Sequence, residues 1–168
     1  MNESDKKILA PTDLSELSQA GVRYALTLAR ALGAEVTVYH VVNCNELAQF
    51  GGTHEKGTID ITSQQYDRLR KGHQLALARF LNDHFSELIP WVKIREKVEI
   101  GVADKSIAEW AKRDGSDLIV ISIHATGDLS HGLVGSVAAT VVANLPCPVL
   151  CIHAVPEEQA GEEAAAVA

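Results

Sequence analysis

The sequence contains little of what marks a membrane, secreted or nucleic-acid-binding protein. Its 168 residues include only three cysteines, Cys44, Cys147 and Cys151, and no apolar run reaches the roughly 18 residues that span a bilayer. The odd, scattered cysteines exclude a disulfide-stapled scaffold and are typical of reduced thiols. Basic residues are outnumbered, 15 Lys and Arg against 22 Asp and Glu, which argues against a nucleic-acid partner. No secretory signal pattern is visible, so we expect a cytoplasmic protein with no membrane span.

The remaining composition is that of one globular domain with an acidic extension. Hydrophobic residues make up 46% of the chain, and its length suits a single core. Residues 155–168 contribute −4 of the formal net charge of −7, which leaves −3 for the rest. We therefore predict one domain over residues 1–153 and a disordered acidic tail over 154–168. Glycine and asparagine interrupt residues 43–62, which predicts a long mobile loop.

Strand and helix patterns alternate along the chain. Strands are predicted at residues 7–10, 35–42, 92–100, 118–123 and 148–152, and helices at 15–32, 63–88, around 107–111 and at 135–143. Such alternation predicts an α/β fold, a doubly wound and mostly parallel five-stranded sheet with helices on both faces. Because the first and fourth strands are the most apolar, they belong together at the centre, which gives the strand order 3-2-1-4-5.

Several side chains are assigned to the core from their spacing. The predicted buried stripe of the first helix has apolar residues at intervals of three and four, with Tyr24 beside them. Its members are Leu17, Gly21, Ala25, Leu28 and Leu32. Gly33 is expected to end this helix. Trp91 and Trp110 are interpreted as packing residues, and His40 is expected to form hydrogen bonds within the core.

The carboxyl ends of the first and fourth strands bring together polar and glycine-rich segments. In an open parallel sheet, ligands bind outside these ends, where the strand order reverses. The segments are Pro11-Thr12-Asp13 and the loop from His124 to Gly135, which enters a helix at Ser136. Backbone amides at such a helix start bind phosphate, and glycines permit close approach. The pattern indicates a nucleotide or phosphate site, although the same glycines are equally compatible with simple turns.

Several blocks of the sequence resemble the universal stress proteins of the UspA type. The matching blocks are residues 8–15, 40–42, 117–121, 135–138 and 146–150, within a similarity that covers residues 6–153. The resemblance implies a Rossmann-like α/β fold and a homodimer joined through the last strand. The implied interface residues are Val149, Leu150, Cys151 and Ile152. A short apolar edge strand agrees with this expectation, since such an edge needs a partner or a cover.

The resemblance also implies a place for ATP. Family members that bind ATP carry Gly-x-x-Gly, then nine residues, then Gly-Ser or Gly-Thr; here the spacing is kept, but Ser122 and Ala125 replace the first two glycines. Ala125 places a Cβ where the backbone approaches phosphate, while Gly127 and Gly132 offer another turn. The implied nucleotide-binding residues are Pro11, Thr12, Asp13 and Val41 around the base, and Ser122, His124, Ala125, Gly127, Gly132, Gly135, Ser136 and Val137 in the loop and helix start.

Two functions therefore remain open for this chain. The first is an adenine-nucleotide-binding regulatory module that holds ATP, with Mg²⁺, between Asp13 and the glycine-bearing loop. The alternative is a stress protein that binds no nucleotide and acts through its dimer and an unidentified protein partner. Slow ATP hydrolysis has no identifiable water-activating group, so no catalytic residue is assigned. His124 and His131 flank Asp128, but this set is weak evidence for a metal, and no metal site is predicted.

Overall fold

The computed structural model describes residues 6–43, 62–123 and 147–154. The strands are β1 (Lys7–Thr12), β2 (Glu35–Asn43), β3 (Lys93–Gly101), β4 (Leu118–Ile123) and β5 (Val149–His153), and the helices are α1 (Gln19–Leu32), α2 (Ser63–Phe85) and α3 (Ala103–Asp114), with a 3-10 turn at Ile89–Trp91. The predicted helix at 135–143, and nearly all of the predicted loop and tail, lie outside the described residues. Within the described ranges, no helix is long and apolar enough to cross a membrane.

The five strands form one parallel sheet in the order β3-β2-β1-β4-β5. The central strand β1 is in register with β2 from Lys7–Glu35 to Thr12–His40. On its other side, Leu9 of β1 is in register with Ile119 of β4. The predicted fold class and strand order are therefore confirmed. The order reverses between β1 and β4, so the carboxyl ends of these two strands form the crevice in which open α/β sheets bind ligands.

Two apolar clusters cover the two faces of the sheet. On one face, α1 and α2 pack over a cluster that includes Ile8, Ala10, Val36, Val38 and Val120. On the other face, α3 packs over Leu9, Tyr39 and Ile119 through Ile107 and Ala111. Successive residues of a strand point to opposite sides, and this alternation divides β1 between the clusters. We call the two sides the α1–α2 face and the α3 face.

The buried stripe of α1 differs from the predicted one. Its buried residues are Gly21, Val22, Ala25, Leu26 and Ala29, whereas Tyr24 is 46% exposed and Leu32 52% exposed. Both stripes have helical spacing, so periodicity alone could not choose between them. Gly21 and Ala25 belong to both stripes, and the buried stripe is completed by Val22, Leu26 and Ala29. The predicted helix end is confirmed, because Gly33 adopts φ 64°, which glycine tolerates best.

Further local predictions need correction. β1 extends to Thr12 rather than ending near Ala10, and α1 begins at Gln19 rather than at residue 15. α2 ends at Phe85 rather than Leu88, before a 3-10 turn that contains a proline. Trp91 is 66% exposed, so its assignment as a packing residue was wrong; the Arg30 guanidinium lies 5.4 Å from its ring centre. Trp110 does pack as predicted, stacked on Tyr39 with 5.5 Å between ring centroids.

Candidate functional site at the carboxyl end of the sheet

The turn between β1 and α1 is held by its own hydroxyl groups. The Thr12 hydroxyl lies 2.7 Å from the Ser18 hydroxyl, and this contact is buried. The Leu14 amide donates to Thr12 Oγ1 at 3.0 Å. Ser18 donates its hydroxyl proton to the Ser15 carbonyl at 2.8 Å. Because a hydroxyl carries a single proton, Thr12 must then donate to Ser18, so the bonds run in one direction from Leu14 through Thr12 and Ser18 to Ser15.

This turn carries the carboxylate of Asp13 at the surface. Asp13 is exposed, and its Oδ1 accepts the Ser15 amide at 2.9 Å. Partial burial acts to raise the pKa of Asp13, but hydrogen bonds from Ser15 and its neighbours outweigh it and lower the pKa below its ordinary value. Leu14 has φ 65°, a left-handed conformation unfavourable for a leucine. Asp13 is therefore an ionised group fixed in a backbone turn that the hydroxyl bonds keep in shape.

Two histidines lie below this turn on the α1–α2 face. The buried His40 of β2 donates from Nδ1 to the Thr12 carbonyl at 2.9 Å, since a carbonyl can only accept. His40 Nε2 lies 2.9 Å from Nδ1 of His73 on α2, and the two rings are stacked 5.1 Å apart. The expectation that His40 forms hydrogen bonds within the core is confirmed. The pair links α2 to the end of β1.

Ser122 joins β4 to the start of α1. Its Oγ accepts the Gly21 amide at 2.7 Å and donates to the Ser18 carbonyl at 3.3 Å. Val120, two residues earlier on the same strand, belongs to the α1–α2 cluster, which agrees with the direction of Ser122. The hydroxyl of Ser122 is thus engaged with α1.

The remaining described site residues lie closer to the other face. Val41 is half-buried and packs against the cluster under α3. Pro11 is buried and in register with Tyr39, whose ring belongs to that same cluster. The structure therefore brings Pro11, Thr12 and Asp13 together at the end of β1, with Val41 on the neighbouring strand.

Seven of the predicted nucleotide-binding residues lie outside the described residues. They are His124, Ala125, Gly127, Gly132, Gly135, Ser136 and Val137. In the part of the chain that the structure describes, no group of three or more His, Cys, Asp or Glu is arranged to hold a metal ion. The predicted roles of the loop and of the following helix start stay predictions.

A comparison with protein families decides the assignment of the chain. The model of the universal stress protein family matches residues 5–153. The chain belongs to the universal stress protein family. This match confirms the resemblance seen in the sequence blocks.

Individual universal stress proteins agree with this assignment. One from Methanocaldococcus jannaschii is 33% identical over 148 residues, which cover 88% of this chain and 81% of that relative. A universal stress protein solved in complex with cAMP has a TM-score of 0.64 at 19% identity and covers 89% of this chain and 98% of its own. The universal stress protein of Archaeoglobus fulgidus in complex with dAMP has a TM-score of 0.52 at 19% identity, with coverages of 88% and 97%. At such identities the two structures show the shared fold.

Three residues of the site were not assigned to it from the sequence. Ser18 and Ser15 complete the hydroxyl bonds of the turn, and His73 completes the histidine pair. His73 lies between Leu69 and Leu77 at intervals of four, so its position on the inward side of α2 was visible as a helical pattern. Its partner on β2 is 33 residues away in sequence, and only the fold brings the two together.

Proposed function

We propose that this universal stress protein is a regulatory module that binds an adenine nucleotide, ATP with Mg²⁺, at the carboxyl end of its sheet. The observation that carries the proposal is Asp13: an exposed, ionised carboxylate fixed at the end of the central strand, where the strand order reverses. A carboxylate in this position suits hydrogen bonding to the hydroxyl or amino groups of a nucleoside. Binding there would change contacts of the dimer or of a protein partner.

The relatives support adenine as the recognised group. One neighbour was solved with cAMP and another with dAMP, and the two ligands share adenine while their phosphates differ. In the proposed site, Pro11, Thr12 and Val41 line the base and Asp13 binds the nucleoside. Gly135 and Ser136, with the neighbouring loop, contact the phosphates. The described residues fit the nucleoside half of the ligand, since Asp13 offers it an acceptor and Val41 an apolar surface.

Calorimetric titration with ATP, AMP and cAMP, with and without Mg²⁺, tests the proposal. We expect micromolar affinity for at least one adenine nucleotide. The Asp13→Ala variant should bind it about tenfold to a hundredfold more weakly, the usual cost of losing a hydrogen bond to a charged group. Absence of heat and of thermal stabilisation with millimolar ATP would overturn the proposal.

A matched control separates the Asp13 effect from a general loss of charge. Asp83 is an exposed aspartate in the last turn of α2, at the opposite end of the sheet. Asp83→Ala removes the same carboxylate and should leave the affinity unchanged. Equal weakening by both variants would mean that Asp13 acts only through the overall charge.

A second candidate function, a stress protein that acts through its dimer without nucleotide, is favoured by the exposed side of β5. The carbonyl of Pro148 and the amide of Ala154 bond to β4, at 3.0 and 2.8 Å. Because the hydrogen-bonding groups of a strand alternate in direction, Val149, Cys151 and His153 direct theirs away from β4. Among the described strands β5 pairs with β4 alone, so this edge is suited to a second copy.

Sedimentation velocity tests the proposed homodimer. Cys151→Pro removes an outward amide without removing a bond to β4, and we expect it to convert the dimer to a monomer. Cys151→Ala keeps the amide and should remain dimeric. A wild-type chain that is monomeric at micromolar concentration would contradict the proposed interface of Val149, Leu150, Cys151 and Ile152. In this proposal the protein works in the cytoplasm with a partner still to be identified.

A further inference from the structure

The start of α1 is capped from another strand. Gly21 is the third residue of the helix, so its amide has no acceptor within the helix. The side chain of Ser18, at the N-cap position, does not cap the helix. The hydroxyl of Ser122 accepts the Gly21 amide at 2.7 Å and so performs this task from β4.

Gly21 and Ser122 fit each other closely. A Cβ added at Gly21 would lie 2.7 Å from Ser122 Oγ and 2.8 Å from the Ser122 backbone nitrogen, closer than such atoms approach in proteins. The absence of a side chain at Gly21 is therefore what allows the hydroxyl to reach the amide. This close approach sets the distance between α1 and β4.

The same hydroxyl connects to the turn that holds Asp13. Ser122 donates to the Ser18 carbonyl at 3.3 Å, and Ser18 shares a buried hydrogen bond of 2.7 Å with Thr12. Thr12 in turn accepts the amide of Leu14, next to Asp13. A continuous set of hydrogen bonds therefore runs from β4 to the residue that follows Asp13.

We propose that Ser122 is a positioning residue for the nucleotide site: it caps α1 from β4 and thereby sets the turn that carries Asp13. The proposal rests on the proposed function. It assigns Ser122 a role different from that of the glycine that the family motif, as aligned by resemblance, places at this position. The motif alone predicts that Ser122→Gly tightens nucleotide binding. The geometry predicts that Ser122→Gly weakens binding, because it removes the cap.

Two measurements on Ser122 variants test the proposal. Hydrogen exchange of the Gly21 amide, followed by NMR, reports the cap without any nucleotide. Calorimetry with ATP reports the site. We expect Ser122→Ala and Ser122→Gly to speed Gly21 exchange and to weaken ATP binding about fivefold to tenfold, as expected for one lost hydrogen bond. Ser122→Thr keeps the hydroxyl and should restore both properties.

A double-mutant cycle distinguishes positioning from a general loss of stability. If Ser122 acts through Asp13, then Asp13→Ala should cost less affinity in the Ser122→Ala background than in the wild type. Independent effects would simply add. Ser116→Ala is the control, because Ser116 is a buried serine that precedes β4 at its amino end, whereas the half-buried Ser122 lies near its carboxyl end. It should leave Gly21 exchange and ATP affinity unchanged.

The outcomes separate this proposal from the proposed function. If the wild type binds ATP and Asp13→Ala weakens it, but Ser122→Gly binds as tightly or more tightly, the positioning role is overturned and the function stands. Unchanged Gly21 exchange in Ser122→Ala would also overturn the cap. A wild type that binds no adenine nucleotide overturns the function and the positioning role together, while Gly21 exchange still decides whether Ser122 caps α1.

Discussion

The two ends of the sheet are held by different chemistry. At the amino end, the buried carboxylate of Glu35 forms ion pairs with Lys93 at 2.6 Å and with Arg95. Arg95 also pairs with Asp114 at 2.7 Å, and Lys7 Nζ donates to the Asp114 carbonyl at 2.8 Å. At the carboxyl end, the contacts join hydroxyls, imidazoles and backbone groups. One end is fixed by ion pairs and the other by hydrogen bonds among hydroxyl, imidazole and backbone groups.

The difference separates an end held by ion pairs from the end at which we propose that a nucleotide binds. The charges of Glu35, Arg95 and Asp114 at the amino end pair within the protein. At the carboxyl end the turn is fixed by hydroxyl and backbone groups, and the Asp13 carboxylate takes part by accepting the Ser15 amide. None of the ion pairs among the described residues includes Asp13. Asp13 is therefore held in place by Ser15 without an ion-pair partner among the described residues, which suits the recognition role proposed for it.

Among the substitutions that test this comparison, the one at Glu35 is expected to lower the free energy of unfolding most. Glu35→Gln removes the shared anion from Lys93 and Arg95 while keeping its size. Because the Glu35 side chain is only 7% exposed, we expect a loss of about 2 kcal/mol in the free energy of unfolding, below the range for breaking a fully buried pair since its partners reach solvent. Urea denaturation measures it. The affinity for ATP should not change. A weakened affinity would contradict the proposal that the amino end contributes to stability but not to nucleotide binding.

The ionisation of Glu35 also predicts how the stability of the fold changes in acid. The hydrogen bond from Lys93, with the charges of Arg95 and Lys7, lowers the pKa of Glu35 in the folded state despite its burial. The ionised form therefore adds stability that is complete above the ordinary carboxyl pKa and lost as the pH falls through the lowered folded value. The stability difference between wild type and Glu35→Gln should shrink from about pH 7 to about pH 3. Glu109→Gln, the same substitution at an exposed glutamate of α3, is the matched control.

A smaller loss is expected at the carboxyl end when the histidine pair is removed. His40→Phe removes the hydrogen bond to the Thr12 carbonyl and the hydrogen bond that joins β2 to His73. We expect a loss of about 1–2 kcal/mol, typical of a hydrogen bond to a buried acceptor. Because these contacts do not depend on opposite charges, this loss should be the same at about 0.1 M and about 1 M salt. The Glu35→Gln loss should decrease with salt, and equal salt dependence would contradict the comparison.

The two ends also differ in how far sequence could predict them. The order of the strands and the place of Asp13 followed from local signals: apolar segments, β-branched residues and the polar stop after β1. The hydrogen bonds from Ser122 to Gly21 and from His40 to His73 join residues 101 and 33 positions apart, and no local pattern names such partners. The buried stripe of α1 failed for a related reason. Two helical stripes share Gly21 and Ala25, and only packing against the sheet shows that Val22, Leu26 and Ala29 complete the buried one.

The smallest loss of stability is expected at Lys93. It allows two members of the ion-pair network at the amino end, Lys93 and Glu35, to be compared. Lys93 is 67% exposed, although its ammonium lies 2.6 Å from Glu35. Lys93→Met should cost less than about 1 kcal/mol in urea denaturation, because the exposed ammonium loses little hydration in the folded state and Arg95 still pairs with Glu35. Arg95 would still neutralise Glu35, so the buried carboxylate would not be left alone. A loss as large as that of Glu35→Gln would mean that both cations are needed to keep the carboxylate buried, and that the stability of this end lies in the whole network rather than in its buried member.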